Sequence, residues 1–492
     1  MSAIFSKKSY INFPMLFRTV GWLLMIISIF MIIPMVVSII YQEHEWMAFL
    51  ISMGITLVSA FGMMSLQPRS REMGKREAIL LTSMTWVILS LFGMLPFLLC
   101  KTHLSITDAF FETMSGFTTT GASVLNSLEN VPKGILIWRC VIQWIGGMGI
   151  ILFTLAVLPM LNYQGGMQLF NAEVTGITHD KLRPRVSNTA KSLWIVYTLL
   201  TITLIVLLSF SEMPFFDAVC HGLSTMSTGG FSTNDMSISA WDTSYVKIVI
   251  TVFMFIGGVS FALIYKLVTG QTRSIFKNEP FRWYCLLTGI AFVIFSVGVY
   301  FQGLALSWDD MVIDPLFQAV SVISSTGIME NDFSHWGAVS QVVIIFLMFT
   351  GACAGSTSGG MKIDRIIILV KFLKNEFYKM MHSNSVTTVC INGKGTSYII
   401  VMKVLAFIFV YFFVVILGGV LLNVLGFPLR DGMFCALSAI SNTGIGTETT
   451  GVAGNFAYVS DAAKWLLSFI MLVGRLELFT VLLLFTLAFW KK

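Results

Sequence analysis

Long apolar runs separated by short polar connections divide the chain. Windows of about twenty apolar residues, the length a helix needs to cross roughly 30 Å of hydrocarbon, fall at 15–40, 46–66, 79–100, 134–159, 193–211, 245–269, 284–303, 338–370, 398–425 and 463–490. The pattern predicts ten membrane spans. The first is too long for the apolar core of a secretory signal, and no small-residue cleavage site follows, so it reads as a retained helix. Lys and Arg collect in alternate connections: Arg69, Arg71, Lys75 and Arg76; Lys181, Arg183, Arg185 and Lys191; Lys266, Arg273, Lys277 and Arg282; Lys362, Arg365, Lys371, Lys374 and Lys379; Lys491 and Lys492. By the positive-inside bias these connections and both termini face the cytoplasm.

Four of the intervening connections carry a second pattern. The stretches DAFFETMSGFTTTG, DAVCHGLSTMSTGG, DPLFQAVSVISSTG and DGMFCALSAISNTG run from Asp108 to Gly121, Asp217 to Gly230, Asp314 to Gly327 and Asp431 to Gly444, with the same internal offset each time. Such self-similarity marks a fourfold repeat of helix, short segment, helix, with the first two spans outside it. Asp favours a helix N-cap, and Pro315 suits a first helical turn. About ten residues later Ser, Thr, Asn and Gly end the helix after roughly 15 Å, half a bilayer. Each segment is therefore expected to enter from outside, stop midway and return as non-helical chain. Backbone at that depth is tolerated only against protein or a watery cavity.

Four such ends around one axis point partial negative charge inward, and their carbonyls can replace the hydration shell of a cation. The expected filter comprises Thr119, Thr120 and Gly121; Thr228, Gly229 and Gly230; Ser325, Thr326 and Gly327; and Asn442, Thr443 and Gly444. The cation is expected at the Thr119, Thr120, Thr228, Gly229, Ser325, Thr326, Asn442 and Thr443 positions. A single Gly after an apolar helix is an ordinary C-cap; four at one offset on one side argue for a shared role.

Composition narrows the class. Hydrophobic residues make up 56% and charged residues 11% of the 492 residues, which leaves too little polar surface for a soluble protein. The formal charge of +6 lies in the inner connections, so it argues for orientation and for contact with anionic lipid rather than for nucleic acid. Cys100, Cys140, Cys220, Cys285, Cys353, Cys390 and Cys435 stand singly in apolar context, Cys100 and Cys140 being the one pair placed to meet outside. No HExxH, GxSxG or P-loop is present, and Gly146, Gly147 and Gly149 in WIGGMGI read as helix packing, so the chain is not expected to be an enzyme.

Three further features stand out. The run GACAGSTSGGMK (Gly351 to Lys362) interrupts the span at 338–370; it reads either as close helix packing or as an unwound loop across the pore with Gly355, Ser356, Thr357, Ser358 and Gly359 at its core. Arg475 and Glu477 lie within the last span, where an ionisable residue implies either a functional role or an ion pair, here of Arg475 with Glu477 or another carboxylate. Four residues after each Asp stand Glu112, His221, Gln318 and Cys435, three of which are expected to hydrogen-bond structure behind the filter rather than contact ions.

With TTTGA, TGGFS, SSTGI and SNTGI at the ends of four repeated units, the sequence resembles the potassium transporter superfamily of Trk, Ktr and plant HKT proteins. The likeness covers about residues 79–492, and the two leading spans resemble its TrkH/TrkG branch. It implies an all-α polytopic membrane protein with a fourfold pseudo-symmetric repeat of helix, re-entrant pore loop and helix. Its parts would be a two-helix segment at 1–76 and pore repeats at 77–185, 186–282, 283–392 and 393–492. Potassium ion is the implied cargo, taken up across the cytoplasmic (inner) membrane. The likeness further implies an intramembrane gate at Gly355–Gly359, Arg475 as a barrier below the filter, a homodimer, and a cytosolic TrkA-like nucleotide-binding regulatory subunit. The competing expectation is a proton- or sodium-coupled symporter with a broken-helix site, for which Glu112, His221, Arg475 and Glu477 are the titratable candidates.

Overall fold

The computed structural model describes residues 11–67, 73–102, 104–149, 186–241, 243–304, 307–329, 333–447 and 455–491. Parts of the expected span at 134–159 and the basic residues Arg69, Arg71, Lys181, Arg183 and Arg185 lie outside them.

Two leading spans come first. Helices α1 (Phe13–Phe30) and α2 (Ile32–Ile40) form one continuous apolar rod, and α3 (Trp46–Met64) packs back along it. Four units follow. The first comprises α4 (Lys75–Gly93) with its short extension α5 (Leu95–Leu99), then α6 (Ile106–Phe117) and α7 (Lys133–Gly147). The second comprises α8 (Val186–Ser209), α9 (Phe215–Met226), α10 (Ser244–Gly257), α11 (Phe261–Val268) and α12 (Arg273–Phe276). The third has α13 (Glu279–Phe301), α14 (Asp314–Ile323), α15 (Ala338–Thr350) and α16 (Ile363–Met381). The fourth has α17 (Tyr398–Val424), α18 (Leu429–Ser441), α19 (Asp461–Arg475), α20 (Phe479–Leu482) and α21 (Leu487–Trp490).

Among the described residues six helices are long and apolar enough to cross a membrane, or eight if each of two bent pairs is one span. The difference from ten continuous spans has one cause. The second helix of every unit is short: α7, α10, α15 and α19 have 15, 14, 13 and 15 residues. At 1.5 Å per residue that is about 20–22 Å, well short of the hydrocarbon. After α10 the chain bends by 105° into α11, and after α19 by 111° into the segment from Phe479 to Phe485.

Glycine sits at each of these ends, and its lack of a side chain is what the packing uses. A Cβ added to Gly146 would come within 3.0 Å of the Phe117 carbonyl at the end of α6, and one on Gly474 within 3.0 Å of the Ile440 carbonyl near the end of α18. In these two units the second helix thus stops where the half-length helix stops. The glycines read from the sequence as packing residues do pack closely, and they also end the helix.

The repeated Asp does not take the N-cap position. Ser105, Pro214 and Pro428 precede α6, α9 and α18, which puts Asp108, Asp217 and Asp431 at the third helical position, while a π-helical turn over Asp309–Ile313 already leads into Asp314. In the first unit the Ser105 hydroxyl accepts from Asp108 N at 3.1 Å, a capping interaction in which Asp completes the turn. The Asp charge still complements the positive end of the helix.

Among the described residues the fold departs from all-α at one hairpin. Strands β1 (Cys390–Ile391) and β2 (Lys394–Gly395) pair antiparallel. The turn between them is Asn392–Gly393, both at positive φ, 50° and 75°, as a type I′ turn requires. Asn392 Oδ1 accepts from Glu279 N at 2.7 Å and fastens the hairpin to α13. All seven cysteines are free. Cys100 and Cys140, the one pair whose positions allowed a meeting outside, do not bond, and Cys100 Sγ lies 2.7 Å from Thr102 Oγ1.

Candidate functional site

The half-helices α6, α9, α14 and α18 end in one repeated backbone form. The first residue of each expected filter triplet is left-handed: Thr119, Thr228, Ser325 and Asn442 have φ of 55°, 53°, 54° and 52°. That region is strained for β-branched Thr, and strain of this kind persists only where the surroundings impose it. Next, the N–H of Thr120, Gly229, Thr326 and Thr443 turns back to the carbonyls of Ser115, Ser224, Ser321 and Ser438, at 2.9, 2.9, 2.9 and 3.0 Å. The amide donors are thereby consumed inside the helix end. Finally Gly121, Gly230, Gly327 and Gly444 take φ of 87°, 82°, 72° and 73°, which only glycine adopts freely.

The four ends touch in a closed cycle. A Cβ on Gly121 would lie within 3.0 Å of the Gly229 carbonyl oxygen, one on Gly230 within that distance of Thr326 O, one on Gly327 of Thr443 O, and one on Gly444 of Thr120 O. Each glycine is therefore required by the carbonyl of the following unit, and the fourth unit closes on the first. Asn442 adds a side-chain tie, donating from Nδ2 to Thr120 Oγ1 at 3.0 Å.

Side chains hold this ring from behind. Glu112 accepts from Val124 N at 2.8 Å, Ser123 Oγ at 3.1 Å and Arg139 Nε at 2.6 Å. His221 Nε2 lies 3.1 Å from Ser232 Oγ, and Gln318 Nε2 donates to Met329 Sδ at 3.1 Å. Ser123, Ser232 and Met329 each stand two residues past the repeated glycine, so three units brace the same point of the returning chain. The charged member works because Arg139 is buried beside it; an unpaired carboxylate there would be costly. These bonds place Glu112 and His221 behind the ring rather than in front of it.

One repeated position escaped the sequence reading. Ser115, Ser224, Ser321 and Ser438 all stand six residues before the filter glycine. Their identity at one offset was legible, and their carbonyls anchor all four of the repeated turns.

The run Gly351–Lys362 is the link between α15 and α16, and it lies against all the inner ends except that of the first half-helix. Thr357 Oγ1 donates to Gly257 O at 3.2 Å and reaches Met226 O at 3.4 Å. Ser325 Oγ donates to Ser358 Oγ at 3.1 Å and also accepts from Gly359 N. A Cβ on Gly359 would come within 3.0 Å of Ser441 O. Gly355 O accepts from Phe261 N at 3.0 Å, tying the outer edge of the loop to α11, with Ser356 folded back on Cys353 O at 2.6 Å.

Arg475 spans the side that the loop leaves. Its Nη1 donates to Thr357 O at 2.8 Å, and its Nη2 to Gly146 O and Gly147 O at 2.7 and 3.0 Å. The expected alternative, a pair with Glu477, is not formed: Glu477 is paired with Arg365 of α16, which also stacks over Phe407 at 3.9 Å. The reason is local. The chain reverses at Glu477 and Leu478, with φ of 53° and 33°, and this turns the two side chains apart.

Apolar helices of membrane-spanning length enclosing a ring of backbone carbonyls define a polytopic membrane transport protein. The chain belongs to the TrkH family of cation transport proteins, whose family model matches residues 45–492. The match takes in the second leading span as well as the four units. Among curated relatives, the Trk system potassium uptake protein TrkH of Salmonella typhimurium is 36% identical over 98% of this chain and 100% of its own length. The Escherichia coli K12 protein of the same name has the same identity and coverage. TrkG of Escherichia coli K12 is 32% identical over 96% of this chain and 97% of its own. The crystal structure of the potassium transporter TrkH from Vibrio parahaemolyticus superposes with a TM-score of 0.88 at 32% identity, covering 97% of this chain and 100% of that one. The family is one of transporters, not enzymes.

Proposed function

We propose that the chain takes up K⁺ across the cytoplasmic membrane through one selectivity filter, formed by the four triplets from Thr119 to Gly121, Thr228 to Gly230, Ser325 to Gly327 and Asn442 to Gly444. The observation that carries this reading is the closed cycle in which each filter glycine accommodates the carbonyl of the next unit. Amides committed to the helix ends leave carbonyl oxygens free to coordinate a dehydrated cation. The cargo is proposed by likeness to the relatives, which are potassium uptake proteins. A negative interior supplies about 2.3 kcal/mol per charge per 100 mV, enough to drive uptake without a coupled ion.

In the same reading the loop around Gly355–Gly359 is the gate and Arg475 its latch and barrier. The Asp ends of the half-helices face outward and both termini inward. Two copies of the chain would associate, each with its own ion path, and the repeat boundaries at 77, 186, 283 and 393 divide it. The basic inner connections, including Lys371, Lys374 and Lys379 on α16, offer the docking surface for a cytosolic nucleotide-binding regulator. Coupled symport is less well supported, because Glu112, His221 and Glu477 are engaged with Arg139, Ser232 and Arg365.

Purified protein in liposomes under opposed K⁺ and Na⁺ gradients tests the proposal through its reversal potential. The wild-type potential is expected to follow K⁺. Gly121→Ser, which forces a Cβ against Gly229 O, should move it toward Na⁺, with the permeability ratio falling several-fold. A wild-type potential in that variant would remove this loop from the filter, and a potential that follows pH at fixed K⁺ would favour proton coupling.

A further inference from the structure

The four filter triplets are not equivalent, and a side chain from a different unit accounts for the odd one. In three units the middle residue is Thr, and its hydroxyl pairs with one two positions earlier: Thr120 with Thr118 at 2.8 Å, Thr326 with Ser324 at 2.7 Å, Thr443 with Ser441 at 2.8 Å. The second unit has Gly229 there, and Ser227 bonds to Ser224 O at 2.9 Å instead. The missing side chain's space is occupied. A Cβ on Gly229 would lie within 3.0 Å of the carboxamide carbon, oxygen and nitrogen of Gln143.

Gln143 comes from α7 of the first unit and is fully buried. Its Nε2 donates to Gly229 O at 2.6 Å, the same carbonyl that meets Gly121 in the ring. Its Oε1 accepts from Ser224 Oγ at 2.9 Å and from Phe231 N at 3.3 Å. One amide therefore grips the half-helix end, the filter carbonyl and the returning chain together. Arg139, one turn earlier on the same face of α7, reaches Ser232 O at 3.2 Å. The other units have no such group: three residues before the corresponding glycines Gly257, Gly351 and Gly474 stand Met254, Met348 and Met471.

We infer that Gln143 is a specificity-determining positioning residue for the ion path, replacing from outside the unit the threonine that the second filter triplet lacks. This rests on the filter reading above. Two effects follow from the contacts. Gly229 and Gly230 in succession have the loosest backbone in the ring, and Gln143 fixes the direction of the Gly229 carbonyl. The carbonyl oxygen has two lone pairs, and the amide takes one, so this position presents a weaker field to a cation than Thr120 O, Thr326 O or Thr443 O. Without Gln143 the carbonyl would be free to close on a smaller ion, favouring Na⁺.

The test uses the full chain in liposomes, with four variants: Gln143→Ala, Gly229→Thr, the double variant, and Gly121→Ser as a control for the filter itself. Gln143→Ala should lower the K⁺-to-Na⁺ permeability ratio by about fivefold, the equivalent of one net hydrogen bond. Gly229→Thr alone should collide with Gln143 and reduce both yield and selectivity. In the double variant the new Thr enters the vacated space and pairs with Ser227, so ratio and yield should recover toward wild type. A Gln143→Ala protein with a wild-type ratio, or Gly229→Thr equally harmful with and without Gln143, overturns the inference. If Gln143→Ala does not accumulate, recovery in the double variant still supports it and absence of recovery overturns it. A shifted ratio in Gly121→Ser beside an unshifted one in Gln143→Ala removes only the role of Gln143; silence in both removes the filter reading as well.

Discussion

Arg475 ends α19 with its guanidinium held between backbone carbonyls of two other units. Bonds from a charged donor to carbonyl oxygens are among the stronger hydrogen bonds in proteins, so three of them tie the loop at Thr357 to the end of α7. In the proposed role the same residue would also act on a passing cation through its charge. At about 6 Å and an effective dielectric near 20, two unit charges repel by roughly 3 kcal/mol. Arg475→Ala removes both the tie and the repulsion, and even a third of that energy corresponds to about fivefold in rate. Rb⁺ uptake by this variant is expected to rise by at least that factor, with the K⁺-to-Na⁺ ratio retained. A stable Arg475→Ala protein with unaltered uptake would eliminate both roles.

At the scale of elements, the breaks in the second helices decide what the site can do. Had α7, α10, α15 and α19 run straight through, they would have covered the ends of the half-helices. Because each stops at glycine after 13–15 residues, the space below the ring is left to the Gly351–Lys362 link. This link has a backbone that few residues other than glycine can follow: Gly351, Gly355 and Gly360 have φ of 61°, 78° and 75°. One Thr357 hydroxyl reaches Met226 O and Gly257 O, and Ser325 makes two bonds to the loop. Neutral hydrogen bonds of this kind are worth about 1 kcal/mol net each, and in the proposed gating role these would have to break for the loop to release. Replacing Gly355 and Gly359 by Ala should displace it, since Gly359 already lies against Ser441 O. Cation leak in liposomes is expected to rise while selectivity stays. Loss of transport together with loss of folded protein would instead make the loop a packing element.

The whole molecule is held as a ring by ties between units as well as within them. Lys247 of α10 donates to Asp314 of α14 at 3.0 Å, and Lys464 of α19 pairs with Asp108 of α6. Each joins the second helix of one unit to the half-helix of the next, the direction in which the filter glycines meet the carbonyls. The orientation of this ring in the membrane has a direct check. Tyr458 and Val386 are 91% and 95% exposed and lie on the connections assigned to opposite sides. In a cysteine-free background, Tyr458→Cys on intact cells should react with a membrane-impermeant maleimide. Val386→Cys should react only after permeabilisation. The reverse pattern would invert the topology.

What the sequence determined by itself was set by local chemistry. Apolar run lengths placed the spans, and the offset from Asp to Gly placed the four half-helices. The TTG, TGG, STG and NTG triplets marked the residues that now form a cycle, because a turn of that shape needs glycine whatever surrounds it. The pattern was silent on relations between distant segments. Nothing around Gln143 says that it faces Gly229, nor around Glu477 that it turns from Arg475 to Arg365. The broken second helices were missed because α7, α10 and α19 continue into apolar sequence, and hydropathy registers lipid solubility rather than direction. Their ends depend on the carbonyls of Phe117 and Ile440 arriving at Gly146 and Gly474, contacts that exist only after the half-helices have packed. A side chain's partner across the ring is a property of the assembled units, and there only tertiary structure decides.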